Sequence, residues 1–165
     1  MPSALPARFL ALGLLTLSLS ACGRDTSVLE AGLPTSPVIL DEGAAAAAIS
    51  RYRAQHGLGP VTIDASLIRA ASLQAESNAR AGRLSHELGG SFESRMARAG
   101  VGRTFMSENL SAGSETFDQV LARWKASPEH NGNMLMPQLR RLGIARVDAP
   151  GTRYKRFWAL VMAGG

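Results

Sequence analysis

The chain is predicted to fold as an α+β domain in which helices cover a small antiparallel sheet. Three observations predict it. Segments with helical spacing of apolar residues crowd the stretch from about residue 43 to 126, and two apolar, strand-like runs close the sequence around a turn-rich tetrapeptide. The composition, 45 % hydrophobic and 19 % charged over 165 residues, suits one globular domain and excludes wholesale disorder.

The elements follow in chain order. Helix one is expected from Asp41 or Gly43 to Gln55, capped by Asp41 and ended by Gly57, with Ala45, Ala48, Ile49 and Tyr52 at helical spacing. Alanine is the best helix former, so Ala44–Ala48 is read as helix. Helix two starts after the cap Asp64 and stops at Gly82, with Leu67, Ile68, Ala71, Ala75 and Ala79 on one face. A short helix from Ser91 to Ala99 turns Phe92, Met96 and Ala99 inward before Gly100. Thr104–Leu110 is a candidate strand. In the helix Thr116–Ala126, Thr116 and Gln119 make a capping box, and Phe117, Val120, Leu121 and Trp124 form the apolar stripe. Arg141–Val147 and Tyr154–Met162 are predicted to pair as a hairpin across Asp148-Ala149-Pro150-Gly151.

The N-terminus carries a different signal. Arg8 precedes an apolar run, Phe9–Leu19, which is far shorter than the ~20 residues of a membrane-spanning helix and reads as an export signal. Leu19-Ser20-Ala21-Cys22 resembles the lipobox of bacterial lipoproteins, and Cys22 is the only cysteine in the chain. That resemblance implies a signal peptide over 1–21 and lipid on Cys22, which would anchor the protein to a membrane. Gly23 in place of Asp leans to the outer membrane or periplasmic face. Residues 22–42, with Pro34 and Pro37 and no period, read as the lipidated Cys and a flexible tether, leaving 43–165 as the folded domain. One cysteine also excludes an intramolecular disulfide framework. An exported chain disfavours nucleic acid as a partner.

Five polar residues stand in or beside predicted loops: His86, Glu108, Asn109, His130 and Asn133. His86-Glu87 opens like a zinc-protease HExxH, but Gly90 takes the place of the second ligand. There is no GxSxG nucleophile elbow, phosphate loop or dinucleotide fingerprint. From Asn131 onward, six basic residues against Asp148 alone (Arg140, Arg141, Arg146, Arg153, Lys155 and Arg156) would suit an anionic lipid or glycan, or simply the solvated faces of a hairpin.

Ordered blocks carry a resemblance. Leu84-Ser85-His86, Ser107-Glu108-Asn109-Leu110, Trp124-Lys125-Ala126-Ser127-Pro128-Glu129-His130-Asn131-Gly132-Asn133-Met134-Leu135 and Leu142-Gly143-Ile144-Ala145 succeed one another. The sequence resembles the CAP superfamily of cysteine-rich secretory, antigen 5 and pathogenesis-related proteins, in its bacterial SCP-domain branch, from about residue 44 onward. The resemblance implies a three-layer α–β–α sandwich with a small antiparallel sheet and a cleft. It implies that His86, Glu108, His130 and Asn133 line that cleft, and that His86, Glu108 and His130 are candidate ligands for zinc or another divalent metal; no cofactor is otherwise implied. The late-strand His of eukaryotic members is absent, its stretch reading Arg156-Phe157-Trp158-Ala159-Leu160.

The function expected is therefore an envelope lipoprotein whose cleft binds a small ligand, lipid, glycan or protein. Two alternatives stand beside it. One is a metal-assisted or acid–base hydrolase acting on envelope material, with metal-bound water or a Glu–His pair doing the chemistry. The other is a structural domain whose polar residues only pin loops to the sheet.

Overall fold

The computed structural model describes residues 1, 32–102 and 104–165. The expected signal peptide (residue 1 apart), Cys22 and the tether as far as residue 31 lie outside the described residues. Ten elements follow in order: β1 (Ser36–Val38), α1 (Glu42–Gln55), β2 (Thr62–Ile63), α2 (Ala65–Ala81), α3 (Phe92–Arg98), β3 (Met106–Ala112), α4 (Phe117–Ala126), α5 (Pro128–Met134), β4 (Leu139–Ala149) and β5 (Lys155–Gly164). The sheet runs β1-β4-β5-β3, and β2 pairs with β4 as well. Every pairing is antiparallel except the two-residue β2.

The predicted helices form where their end signals place them. Asp41 accepts from the Ala44 N–H, Asp64 accepts from Ser66 and Leu67, and the Thr116–Gln119 capping box is complete. Gly82 ends α2 in the left-handed conformation that costs glycine least. The predicted hairpin is β4–β5, and the strand around Glu108, expected over Thr104–Leu110, both starts and ends two residues later, at Met106–Ala112.

Three elements differ from the sequence reading. Ser36–Val38, expected within the tether, pairs with Asp148–Arg146 of β4, so the folded domain begins before residue 43. Its three residues include Pro37, which edge strands tolerate and which reads as a linker in sequence. The short β2 is set by its neighbour β4 rather than by any period of its own. Helix α5, expected as a loop, buries Met134 and begins with Pro128 at its first turn.

Central strands β4 and β5 are covered on both faces, which makes the three layers. On one face Ala145, Val147, Phe157, Ala159 and Val161 meet the alanine stripe of α2 and Met96 of α3. On the other, Leu142, Ile144, Trp158, Leu160 and Met162 meet Ile49 of α1, Val120, Leu121 and Trp124 of α4, and Met134 of α5. The period-2 alternation along β5 thus sends Phe157, Ala159, Val161 and Ala163 toward α2, and Trp158, Leu160 and Met162 toward α1, α4 and α5. Arg53 is a fully buried cation that joins α1 to this second layer. Its guanidinium donates to the carbonyls of Gly59 (3.0 Å), Met134 (2.6 Å), Met136 (3.1 Å) and Leu139 (3.1 Å).

Three of the six C-terminal basic residues are paired with carboxylates. Arg141 pairs with Asp64, Arg146 with Asp148 while lying over the Trp158 ring, and Arg156 with Glu115.

Candidate functional site

The site starts at the C-terminal end of α2. Two buried amides on that helix hold the loop that follows. Gln74 Nε2 donates to the Ser85 carbonyl at 2.6 Å, and Asn78 Oδ1 accepts from the Ser85 N–H at 2.7 Å. His86 is thereby fixed beside α3. Arg95 on α3 donates through Nη1 to the carbonyls of His86 and Gly90, which binds loop and helix together.

Glu108 projects from β3 into this frame. Arg95 Nη2 lies 2.8 Å and 2.7 Å from its two carboxylate oxygens, and both side chains are 3 % exposed. His86 Nδ1 lies 2.7 Å from Glu108 Oε1, its own side chain 53 % exposed. The hydrogen bond to Glu108 raises the His86 pKa above the ordinary histidine value, against a smaller opposing effect of burial.

A second cluster hangs on the adjacent residues of β3. Asn109 Nδ2 donates to the His130 carbonyl (2.9 Å), and Asn133 Nδ2 donates to Asn109 Oδ1 (3.0 Å) and to the Glu108 carbonyl (3.3 Å). Ser107 Oγ donates to the Asn133 carbonyl (3.1 Å). These bonds seat α5 on the strand, and Tyr52 of α1 adds one to Asn131 Oδ1 (2.7 Å). His130 Nδ1 lies 2.9 Å from Ser127 Oγ. Burial lowers the His130 pKa, and the nearby His86 lowers it further, while Glu129 opposes.

Beside His130 a cleft of about 520 Å³ follows the sheet's edge strand β3. Leu110, Trp124 and Leu84 give it an apolar surface, and Tyr154, Ser127 and two arginines, Arg83 and Arg123, give it polar groups.

The four expected cleft residues thus meet in one hydrogen-bonded region, but His130 is the one whose side chain lines the cleft. The three-residue metal set is not formed. Among the described residues no group of three or more His, Cys, Asp or Glu is placed to hold a metal ion. The donor chemistry gives the reason: both Glu108 oxygens accept from a buried guanidinium, which supplies the positive charge a metal would bring.

Sequence reasoning missed Arg95, Ser127, Arg83, Arg123 and Tyr154. A signal for Arg95 exists: at Phe92 plus three it shares the inward face of the short helix with Met96, and an arginine on an apolar stripe calls for a buried acid.

A family model described as the cysteine-rich secretory protein family, CAP, matches residues 46–162. No curated protein matches the chain. Among solved structures, an outer surface protein from Borrelia burgdorferi superposes with a TM-score of 0.70 at 19 % identity, covering 79 % of this chain and 98 % of that one. An extracellular protein containing an SCP domain from Bacillus anthracis gives 0.63 at 20 % identity, over 79 % of this chain and 45 % of its own. A cysteine-rich secretory protein from Staphylococcus aureus gives 0.59 at 14 % identity, over 74 % and 37 %. At these identities the likeness is one of fold.

Proposed function

The chain belongs to the cysteine-rich secretory protein (CAP) family, and on that footing we propose that it is an envelope lipoprotein whose cleft along β3 binds a ligand without a metal held by His86, Glu108 and His130. The cleft carries the reading: its volume of about 520 Å³ falls within the ~300–1,000 Å³ of small-ligand sites, and it combines an apolar surface with a few converging polar groups. The Arg95–Glu108 pair and the Asn109–Asn133 bonds support it from behind by fixing β3, α3 and α5 around the opening.

A ligand-blind experiment tests this. The backbone resonances of the full chain are followed while a total extract of bacterial envelope is added. Shifts confined to residues 83–84, 110–112, 123–130 and 154, and absent in Tyr154→Ala, are expected. No shift in the cleft would leave a structural domain.

The envelope location rests on the export signal and on the lipobox ending at Cys22. The relatives from Borrelia burgdorferi and Bacillus anthracis are described as outer surface and extracellular proteins. No helix among the described residues is long and apolar enough to cross a membrane. Mass spectrometry of the membrane fraction is expected to find a diacylglyceryl-modified Cys22 as the N-terminus. Cys22→Ser protein that is still processed and membrane-bound would refute the anchor.

One observation favours an acid–base hydrolase as the second reading. The charge of His86 is felt at His130, and the surroundings of the two push their pKa values in opposite directions, the pattern of an acid and a base. Ser127 Oγ, at 2.9 Å from His130, is the nucleophile that reading would use. Trapping of Ser127 by a fluorophosphonate, lost in His130→Ala, would promote it.

A further inference from the structure

We propose that the ligand of this cleft carries an anionic oxygen group, a carboxylate or phosphate, on an apolar body, with the anion held between the guanidinium groups of Arg83 and Arg123. The proposal rests on the cleft reading above and adds the ligand's chemical class.

The first argument is charge. Arg83, from the loop after α2, and Arg123, on α4, line the cleft, and no Asp or Glu lines it. A third arginine, Arg153, lies over the ring of the cleft residue Tyr154, 5.7 Å from its centroid. The ion pairs among the described residues engage other cations: Arg80, His86, Arg95, Arg141, Arg146 and Arg156. Arg123 gives one N–H to the Ala112 carbonyl at 3.3 Å, and the remaining N–H groups of its fork have no partner among the described residues. Glu129, next to His130 in sequence, is outside the lining. Cations of one sign along a concave, partly apolar wall focus their field into the opening and draw in anions.

The second argument is shape. Arginine presents a planar fork that matches a carboxylate or phosphate through two parallel hydrogen bonds. Ser127 and His130 stand on the same wall as further partners for an oxygen. The third argument is the apolar part. Leu84 and Tyr154 are 41 % and 40 % exposed, among the large hydrophobic side chains left open to solvent in this fold, and both line this cleft. Leu110 and Trp124 continue the surface inward. A simple inorganic anion would leave that surface bare, and a neutral apolar molecule would leave the guanidinium groups unused.

Calorimetry and backbone NMR on the full chain test the proposal with four probes kept monomeric: octanoate, octyl phosphate, octanol and octyltrimethylammonium. At least one of the two anions is expected to bind saturably, with shifts in residues 83–84, 110–112, 123–130 and 154. Octanol and the cation are expected to bind at least about tenfold more weakly. Arg83→Gln and Arg123→Gln should each weaken the anion about tenfold, as expected for loss of one charge-assisted contact. Arg83→Lys/Arg123→Lys, which keeps the charge and loses the fork, should fall between wild type and the double glutamine variant. Spectra unchanged outside the cleft will show that the variants are folded.

Two natural sources share this chemistry, and a vesicle arm separates them. Phosphatidylglycerol vesicles that produce the same cleft shifts, lost in the double glutamine variant while phosphatidylcholine vesicles give none, identify a bilayer lipid. Shifts with dissolved anions alone identify a free amphiphile. Octanol binding as tightly as octanoate overturns the anionic class while leaving the cleft a ligand site. Cleft resonances unmoved by all four probes overturn the proposal, and the envelope-extract titration then decides the cleft reading by itself.

Discussion

Arg95 and Glu108 are the residues on which the site's electrostatics turn. Each is buried, each neutralises the other, and His86 completes the carboxylate's partners. Removing one charge from such a pair strands the other in a low-dielectric interior. Glu108→Gln is therefore expected to lower stability by about 3–5 kcal/mol, measured by urea unfolding, and Arg95→Met/Glu108→Leu to recover most of it. A cost below about 1 kcal/mol would mean the pair is solvated. The same carboxylate raises the His86 pKa, whereas burial lowers that of His130. In an NMR titration His86 should lose its proton above the unperturbed value of ~6.5 and His130 below it. The linkage signs are opposite. The His86 contribution is fully present below ~6.5 and is lost as pH rises through its higher folded value; the His130 contribution is present above ~6.5 and is lost as pH falls through its lower one. With Glu108 replaced by Gln, His86 should titrate lower than in the wild type. Equal midpoints for the two histidines in the wild type would remove the acid–base reading with them.

At the scale of elements, α2 lies unusually close to β4, and Gly143 is the reason. A Cβ on that residue would stand 2.0 Å from the Leu67 carbonyl carbon and 2.1 Å from the Ile68 nitrogen, both backbone atoms that no rotamer change can move. The helix accepts this contact because its facing residues, Ala70, Ala71, Ala75 and Ala79, are small. Gly143→Ala must push α2 off the sheet and is expected to cost about 1–3 kcal/mol or more, visible as a lowered Tm. Because α2 also holds the Ser85–His86 loop through Gln74 and Asn78, the His86 resonances should shift in the same variant. An unchanged Tm would mean the close contact is not maintained in solution.

For the whole molecule, two apolar layers on either side of one sheet take the place of the disulfides that a single cysteine cannot supply. The same packing carries Arg95 into the Glu108 site, so the domain is expected to be indifferent to zinc. Calorimetry of the untagged full chain should give no saturable heat that depends on His86, and zinc should leave the Tm unchanged. A saturable heat lost in His86→Ala would show that Arg95 yields its place to the metal.

What the sequence determined by itself is the local part: α1, α2, α3 and α4 with their caps, the β4–β5 hairpin, and the list of polar residues near the site. Those follow from 3.6- and 2-residue periods and from capping side chains, all of which act over a few neighbouring residues. The resemblance carried by the Ser-His, Glu-Asn-Leu and Ser-Pro-x-His blocks extended this to the layer order. Helix α5 escaped because it is 7 residues long, contains Gly132, and has Met134 as its one buried residue, so it has no stripe to read. Strand β1 escaped because three residues with a proline become a strand only when β4 offers its edge. Which polar residues face each other was decided by tertiary structure alone. Arg95 and Glu108 are thirteen residues apart and on different elements. Their pairing depends on how α3 lies against β3, and no period within either element contains that angle. The cleft has the same origin: its arginines, tyrosine and histidine come from four separate segments, and only the packing of α4 and α5 beside the edge strand brings them to one wall.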